Sequence, residues 1–140
     1  APLVRQDLVK LYTLGELGRY NGLRQKALRA QGKDLPGVGN IAKLSMSEMM
    51  RVSRDLGLRI VGPAGTLHAY EGQDGDAVVE ATGNPFLPVV TGTALFAQGP
   101  AIYGGTDQIQ RNIIGERVLG LPKEPNNDKT LPFSELPKNA

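Results

Sequence analysis

Apolar residues recur at helical spacing from the first residues of the chain. Val4, Leu8 and Leu11 lie on one stripe, which continues as Gly15, Gly18 and Gly22. Leu14, Leu17 and Leu28 mark a second apolar face. The pattern predicts one long helix over residues 3–31, with Pro2 near its first turn, where a missing N–H costs nothing. A helix apolar on more than one face belongs in a bundle interior or a subunit interface. Each glycine on the stripe lowers helix propensity by about 1 kcal/mol relative to Ala. The expected compensation is close backbone approach by a neighbouring helix.

"GKDLPGVGN", Gly32 to Asn40, breaks the period and reads as a loop. Asn40 is then the expected N-cap of a second helix over residues 41–61. Ile41, Met49, Val52, Leu56 and Ile60 share its apolar face, with Ser45 among them, and Met46, Met49 and Met50 read as adaptable core filling. "GPAG" at 62–65 stops that helix. Residues 66–90 are polar and Gly-rich, predicting a surface excursion with a helical turn around 76–81. A weaker third helix is expected over Pro88–Ala97. A fourth runs from Thr106 to Leu119, carrying Ile109, Ile113, Ile114 and Val118, and Gly120 stops it. The pattern defines an all-α, up-and-down helical bundle over residues 1–122 and a Pro-rich tail over 123–140 that calls for no regular structure.

Composition narrows the chemistry. At 140 residues the chain forms one domain with a real core. Only 5% of residues are aromatic, so that core is built from Leu, Ile, Val, Ala and Met. Sixteen basic against fourteen acidic residues leave +2. Arg19, Arg24, Lys26, Arg29 and Lys33 cluster at the end of the first helix, but with no interleaved aromatics they read as a solvated face and predict no nucleic-acid partner. Cys is absent, which removes disulfides and thiol chemistry. No apolar run reaches the ~20 residues of a membrane span, so no membrane partner is expected and a cytoplasmic location is the default. Ala1 without a preceding Met points to a processed or excised piece.

His68 is the sole histidine, without carboxylates at ligand spacing, and reads as a surface residue rather than a metal ligand or catalyst. Glu71, Asp74 and Asp76 lack the spacing of a calcium loop. "IYGGTDQIQRNIIGERVLGLP", Ile102 to Pro122, carries more. Thr106 can cap the following helix, and Asp107 in its first turn complements the helix dipole. Gly104 and Gly105 bring bare backbone amides to that positive end, which suits a phosphate or a developing oxyanion. Local physics equally allows a well-capped junction with no ligand.

That segment resembles the C-terminal signature of the acyl-CoA dehydrogenase family, an aromatic residue followed by Glu or Gly, Gly-Thr and an "IQ" helix. "LRIVGPAG" resembles the family segment that ends its preceding long helix, and "GKDLPGVGNIAKLSMSEMM" fits the loop and helix start between, including Ala42-Lys43. The resemblance covers residues 1–122. It implies the C-terminal four-helix bundle of a subunit whose β domain, and whose first bundle helix, lie upstream of Ala1. It also implies FAD as cofactor, an acyl-CoA substrate, electron-transfer flavoprotein or a similar acceptor, and a tetramer with like or sister subunits. Such enzymes introduce an α,β double bond into fatty or steroid side-chain acyl-CoAs.

Carried onto this chain, the resemblance gives Gly104 the position of the usual catalytic Glu, with only a backbone N–H to offer the thioester carbonyl. Tyr103, Gly104 and Gly105 are the implied substrate contacts. Thr106, Asp107 and Gln108 are the implied flavin contacts. Arg59, Ile60, Val61, Gly62 and Pro63 match the segment that meets the adenine end of flavin bound in a neighbouring subunit, with Arg59 in place of the usual Gln and Pro63 in place of Gly. The base would come from outside this segment, on the helix just upstream of it in relatives with Gly here. The alternatives are a non-catalytic structural subunit of a mixed tetramer and a helical binding module unrelated to catalysis.

Overall fold

The computed structural model describes residues 2–69, 73–123 and 131–136. Those residues form an all-helical fold: α1 (Pro2–Ala30), α2 (Val38–Val61), α3 (Gln73–Thr82), α4 (Leu87–Phe96) and α5 (Asp107–Arg117). Short 3-10 turns follow α2 at Gly62–Thr66, follow α4 at Gly99–Ala101, and occupy Phe133–Glu135 in the tail. Glu71 lies outside the described residues, as does most of the tail.

The hub is α2, which packs against α1, α4 and α5. Its Val52 and Leu56 are buried, and so are Leu87 at the start of α4 and Ala97 just beyond its end. Fully burying a leucine such as Leu87 contributes about 1.5–3 kcal/mol. Packing between α2 and α4 is close because Gly57 has no side chain: a Cβ there would stand 3.0 Å from Val90 Cγ1. α4 is apolar on every side, and Val89, Leu95 and Phe96 remain exposed beside its core contacts.

Helix 1 departs from its expected packing. Val4, Asp7, Leu11, Leu14, Gln25 and Leu28 are half-buried, at the 3-and-4 spacing of a single contact face. No residue of the helix is fully buried. Val9, Tyr12, Tyr20 and Leu23 point the other way and are exposed. A Cβ on Gly15, Gly18 or Gly22 would meet nothing within 4 Å, so these glycines serve no close approach among the described residues. Gly57 has that role instead. Arg19, in the basic cluster, pairs with Glu16 at 2.7 Å on the exposed surface.

Two other boundaries differ. α2 begins at Val38 after Gly37, whose φ of 76° is left-handed and whose missing Cβ makes room for Val118; Asn40 is therefore inside the helix and caps nothing. The excursion over 66–90 holds a ten-residue helix, α3, longer than the expected turn. At the fourth helix the expectation is met closely. Thr106 Oγ1 accepts from Ile109 N at 3.3 Å, and Gly120, at φ 67°, lies in the turn that ends the helix.

Candidate functional site

The first turn of α5 is fastened to α2 by polar side chains. Asn40, Lys43, Ser47 and Arg51 follow one another at helical spacing along α2, so they share a face that meets α5. Asp107 is buried against them. Its Oδ2 accepts from Arg51 Nη1 at 3.0 Å, while Lys43 Nζ stands 3.5 Å from Oδ1. Lys43 donates to the Pro100 carbonyl, leaving Oδ1 without a hydrogen bond among the described residues. Burial pushes the Asp107 carboxyl up, but Arg51, the Ser47 hydroxyl and Lys43 outweigh it and hold it below the ordinary carboxylate value. Asp107 in turn raises the Arg51 guanidinium.

The network extends outward. Glu48 accepts from Arg51 at 3.1 Å and pairs with Lys10 of α1 at 3.0 Å, and Lys10 first, then Arg51, lowers its carboxyl. One line of alternating charges thus runs from α1 through α2 into α5.

Gly104 and Gly105 precede this anchored turn, both exposed and both left-handed, at φ 64° and 85°. A Cβ on Gly104 would meet nothing within 4 Å, whereas one on Gly105 would stand 2.8 Å from Gln110 Nε2. Gln110 is buried; its Nε2 donates to the Gly104 carbonyl at 3.0 Å and the Gly105 carbonyl at 3.3 Å, and its Oε1 accepts from Asn40 Nδ2 at 2.7 Å. The amides of residues 104 to 108 donate no hydrogen bond among the described residues. Five consecutive N–H groups at the positive end of a helix, with no side chain over Gly104, form a surface open to an anionic or carbonyl oxygen. Tyr103 is half exposed beside them, lying over Gly99 with its ring centroid 6.3 Å from that of Phe96.

The remaining sequence-predicted residues lie elsewhere. Ile60 is exposed at the end of α2, Arg59 is ion-paired with Asp7 of α1, and Gly62 and Pro63 open the 3-10 turn. Ten residues of helix, about 15 Å at 1.5 Å per residue, separate Arg51 from Val61. One chain therefore brings Tyr103, Gly104, Gly105, Thr106, Asp107 and Gln108 together and keeps Arg59 to Pro63 apart from them. Within the first group, Asp107 turns inward and Gln108 outward. His68 is half-buried rather than a surface residue, its Nδ1 2.8 Å from Thr91 Oγ1.

Ser47, Arg51 and Gln110 are not singled out by the sequence, and Asn40 only as a helix cap. The usable signal was the polar stripe 40, 43, 47, 51 inside an otherwise apolar helix.

A helical fold carrying this glycine-rich helix entry belongs to a known class: residues 1–119 match the family description "Acyl-CoA dehydrogenase, C-terminal domain", and the chain belongs to that family. It is 33% identical over 124 residues to acyl-CoA dehydrogenase IpdE1 of Mycolicibacterium smegmatis, covering 88% of this chain and 26% of the relative. With acyl-CoA dehydrogenase IpdE1 of Mycobacterium tuberculosis it shares 30% identity, over 88% of this chain and 28% of the relative. The chain thus spans about a quarter of the length of these curated relatives. No solved structure matches it.

Proposed function

We propose that the chain is the flavin-contacting and oligomerisation domain of an FAD-dependent acyl-CoA dehydrogenase, with the base supplied from outside it. The observation that carries this reading is the Gly104–Gln108 run: free amides on a helix N-terminus, uncovered by any Cβ at Gly104, in the segment whose resemblance to the family signature implies cofactor contact. These residues fit FAD, which needs backbone donors and a surface bare enough for a planar group to approach. Thr106 and Gln108 would face the flavin, and the Gly104 amide would polarise the thioester carbonyl. Arg59 to Pro63, at the far end of α2, would meet the adenine end of FAD held by a neighbouring subunit. The exposed apolar face of α1 suits the subunit contact that such sharing requires.

The chemistry is the removal of two hydrogens from an acyl-CoA with a fatty or steroid side chain. A carboxylate takes the α proton, the hydride leaves the β carbon, and FAD supplies the two-electron acceptor. The residues of this chain hold no base at that place, because Gly104 has no carboxyl; their contribution is to stabilise charge on the carbonyl oxygen as the proton leaves. Electrons would pass on to electron-transfer flavoprotein or a similar acceptor.

The test is purification of the full-length protein, followed by FAD analysis and dye reduction with acyl-CoAs. Yellow protein with acyl-CoA-dependent turnover supports the reading; colourless protein that takes up no added FAD overturns it. Gly104→Glu probes the location directly. A Cβ there would meet nothing within 4 Å, though its left-handed φ costs about 1–2 kcal/mol for a residue with a Cβ. Altered turnover places position 104 by the carbonyl, and unchanged turnover removes it.

A second reading rests on the same missing carboxylate: a non-catalytic subunit that completes a sister chain's tetramer. Co-expression with a neighbouring dehydrogenase subunit separates the two, since only a partner subunit gains activity by association.

A further inference from the structure

An oxyanion site must hold its donors fixed before the reaction, yet Gly-Gly is the most mobile dipeptide a chain can place there. Gln110 resolves that conflict. Its buried amide is divided between three partners: both Nε2 hydrogens go to the successive carbonyls of Gly104 and Gly105, and Oε1 is held by Asn40 from α2. The amide orientation follows from the partners, since only an NH₂ can serve two carbonyls. The described residues contain no cis peptide. In a trans peptide the C=O and the next N–H point in opposite directions. Turning the carbonyls of Gly104 and Gly105 inward to Gln110 therefore turns the amides of Gly105 and Thr106 outward, and both are free. The Gly104 N–H lies in the preceding peptide plane, joined to these two through the Gly104 torsions.

We infer that Gln110 is a positioning residue: its side-chain amide, braced by Asn40, clamps the Gly104 and Gly105 carbonyls inward and so preorganises the outward amides of Gly105 and Thr106, which flank the Gly104 amide at the reacting carbonyl and the flavin. This rests on the function proposed above, but the clamp itself is a property of the loop and is measured without turnover. Gln110 touches neither substrate nor cofactor in this role.

Gln110→Glu is nearly isosteric and replaces the double donor by a carboxylate facing two carbonyl oxygens. In the full-length protein, the expected result is a flip of the Gly104–Gly105 peptide, seen in a crystal structure or as faster hydrogen exchange at Gly105 and Thr106. With acyl-CoA, kcat falls by about a hundredfold, the scale of a lost oxyanion donor, while KM stays within a few-fold. Acidification should recover part of kcat as the introduced carboxyl protonates and regains one donor. Asn40→Ala removes only the brace, keeps the fold, and gives the same pattern at about a tenth of the size. A Gln110→Glu protein with the wild-type loop conformation, exchange and kcat overturns the inference. A wild-type protein with no FAD and no turnover would overturn the proposed function instead, and the loop measurements would still decide the clamp.

Discussion

Arg51 Nη1 lies 3.0 Å from Asp107 Oδ2, joining the middle of α2 to the first turn of α5. The aspartate is buried while the arginine is about a third exposed, so the two partners are unequal. Removing the arginine strands a buried carboxylate with Lys43 as its nearby cation and only the Ser47 hydroxyl besides; removing the carboxylate leaves a cation that can turn to water or to Glu48. Arg51→Ala should therefore destabilise the fold by about 2 kcal/mol, and Asp107→Asn by less. Urea unfolding of both variants checks the order. Equal or reversed losses would show that the pair does not anchor α5.

The same pair fixes an acid dependence. Asp107 and Glu48 both have folded-state values below that of a free carboxylate. A group depressed in the folded state contributes stability that is present above its unfolded value, near 4, and is lost as pH falls through the folded value. Wild-type stability should therefore drop more steeply than that of Asp107→Asn as pH falls below about 4, and the two curves should converge. Raising the salt should weaken the Glu48 part, since its pair with the exposed Lys10 is open to solvent, and spare the Asp107 part. Thermal unfolding across a pH series at low and high salt measures both. Parallel curves would contradict the assignment.

What the sequence made legible follows the reach of each physical signal. The apolar period placed the four long helices to within a few residues, and Thr106 was readable as a cap because the capping bond spans only three residues. Asn40 was misassigned for the same reason: a cap is a local inference, and nothing local reveals that Gly37 can start the helix earlier and free Asn40 for a residue seventy positions away. Asp107 fitted a dipole argument that was sound but incomplete, because its burial depends on Lys43, Ser47 and Arg51 from another helix. Glycines carry no side-chain signature at all. Their spacing on α1 suggested close packing, and only the assembled chain assigns that role to Gly57.

The two glycines of the loop should respond differently to a methyl group. Gly104→Ala meets no neighbour and costs only its left-handed φ, about 1–2 kcal/mol. Gly105→Ala bears that cost and also drives a Cβ to 2.8 Å from Gln110 Nε2, forcing the side chain that holds both carbonyls to move. Gly105→Ala should be the more destabilised of the two and should lose more FAD affinity. Calorimetry and flavin titration compare them. A milder effect at 105 than at 104 would mean that Gln110 yields freely.

The α1 glycines give a test whose sign carries the information. A Cβ on each of Gly15, Gly18 and Gly22 would meet nothing within 4 Å among the described residues, so Ala there removes only a helix penalty of about 0.5–1 kcal/mol. In this chain studied alone, Gly18→Ala should raise the unfolding midpoint. In an assembled full-length protein the outcome depends on what the stripe meets. Should a helix from elsewhere in the assembly pack backbone-close against it, the added methyl would collide and the same substitution would lower stability and loosen association. Unfolding of the chain alone, set beside sedimentation of the assembly, separates the two. A gain in both settings would mean that the stripe faces solvent throughout, and that the apolar residues Val9, Tyr12, Tyr20 and Leu23 on the opposite side are left to make the subunit contact.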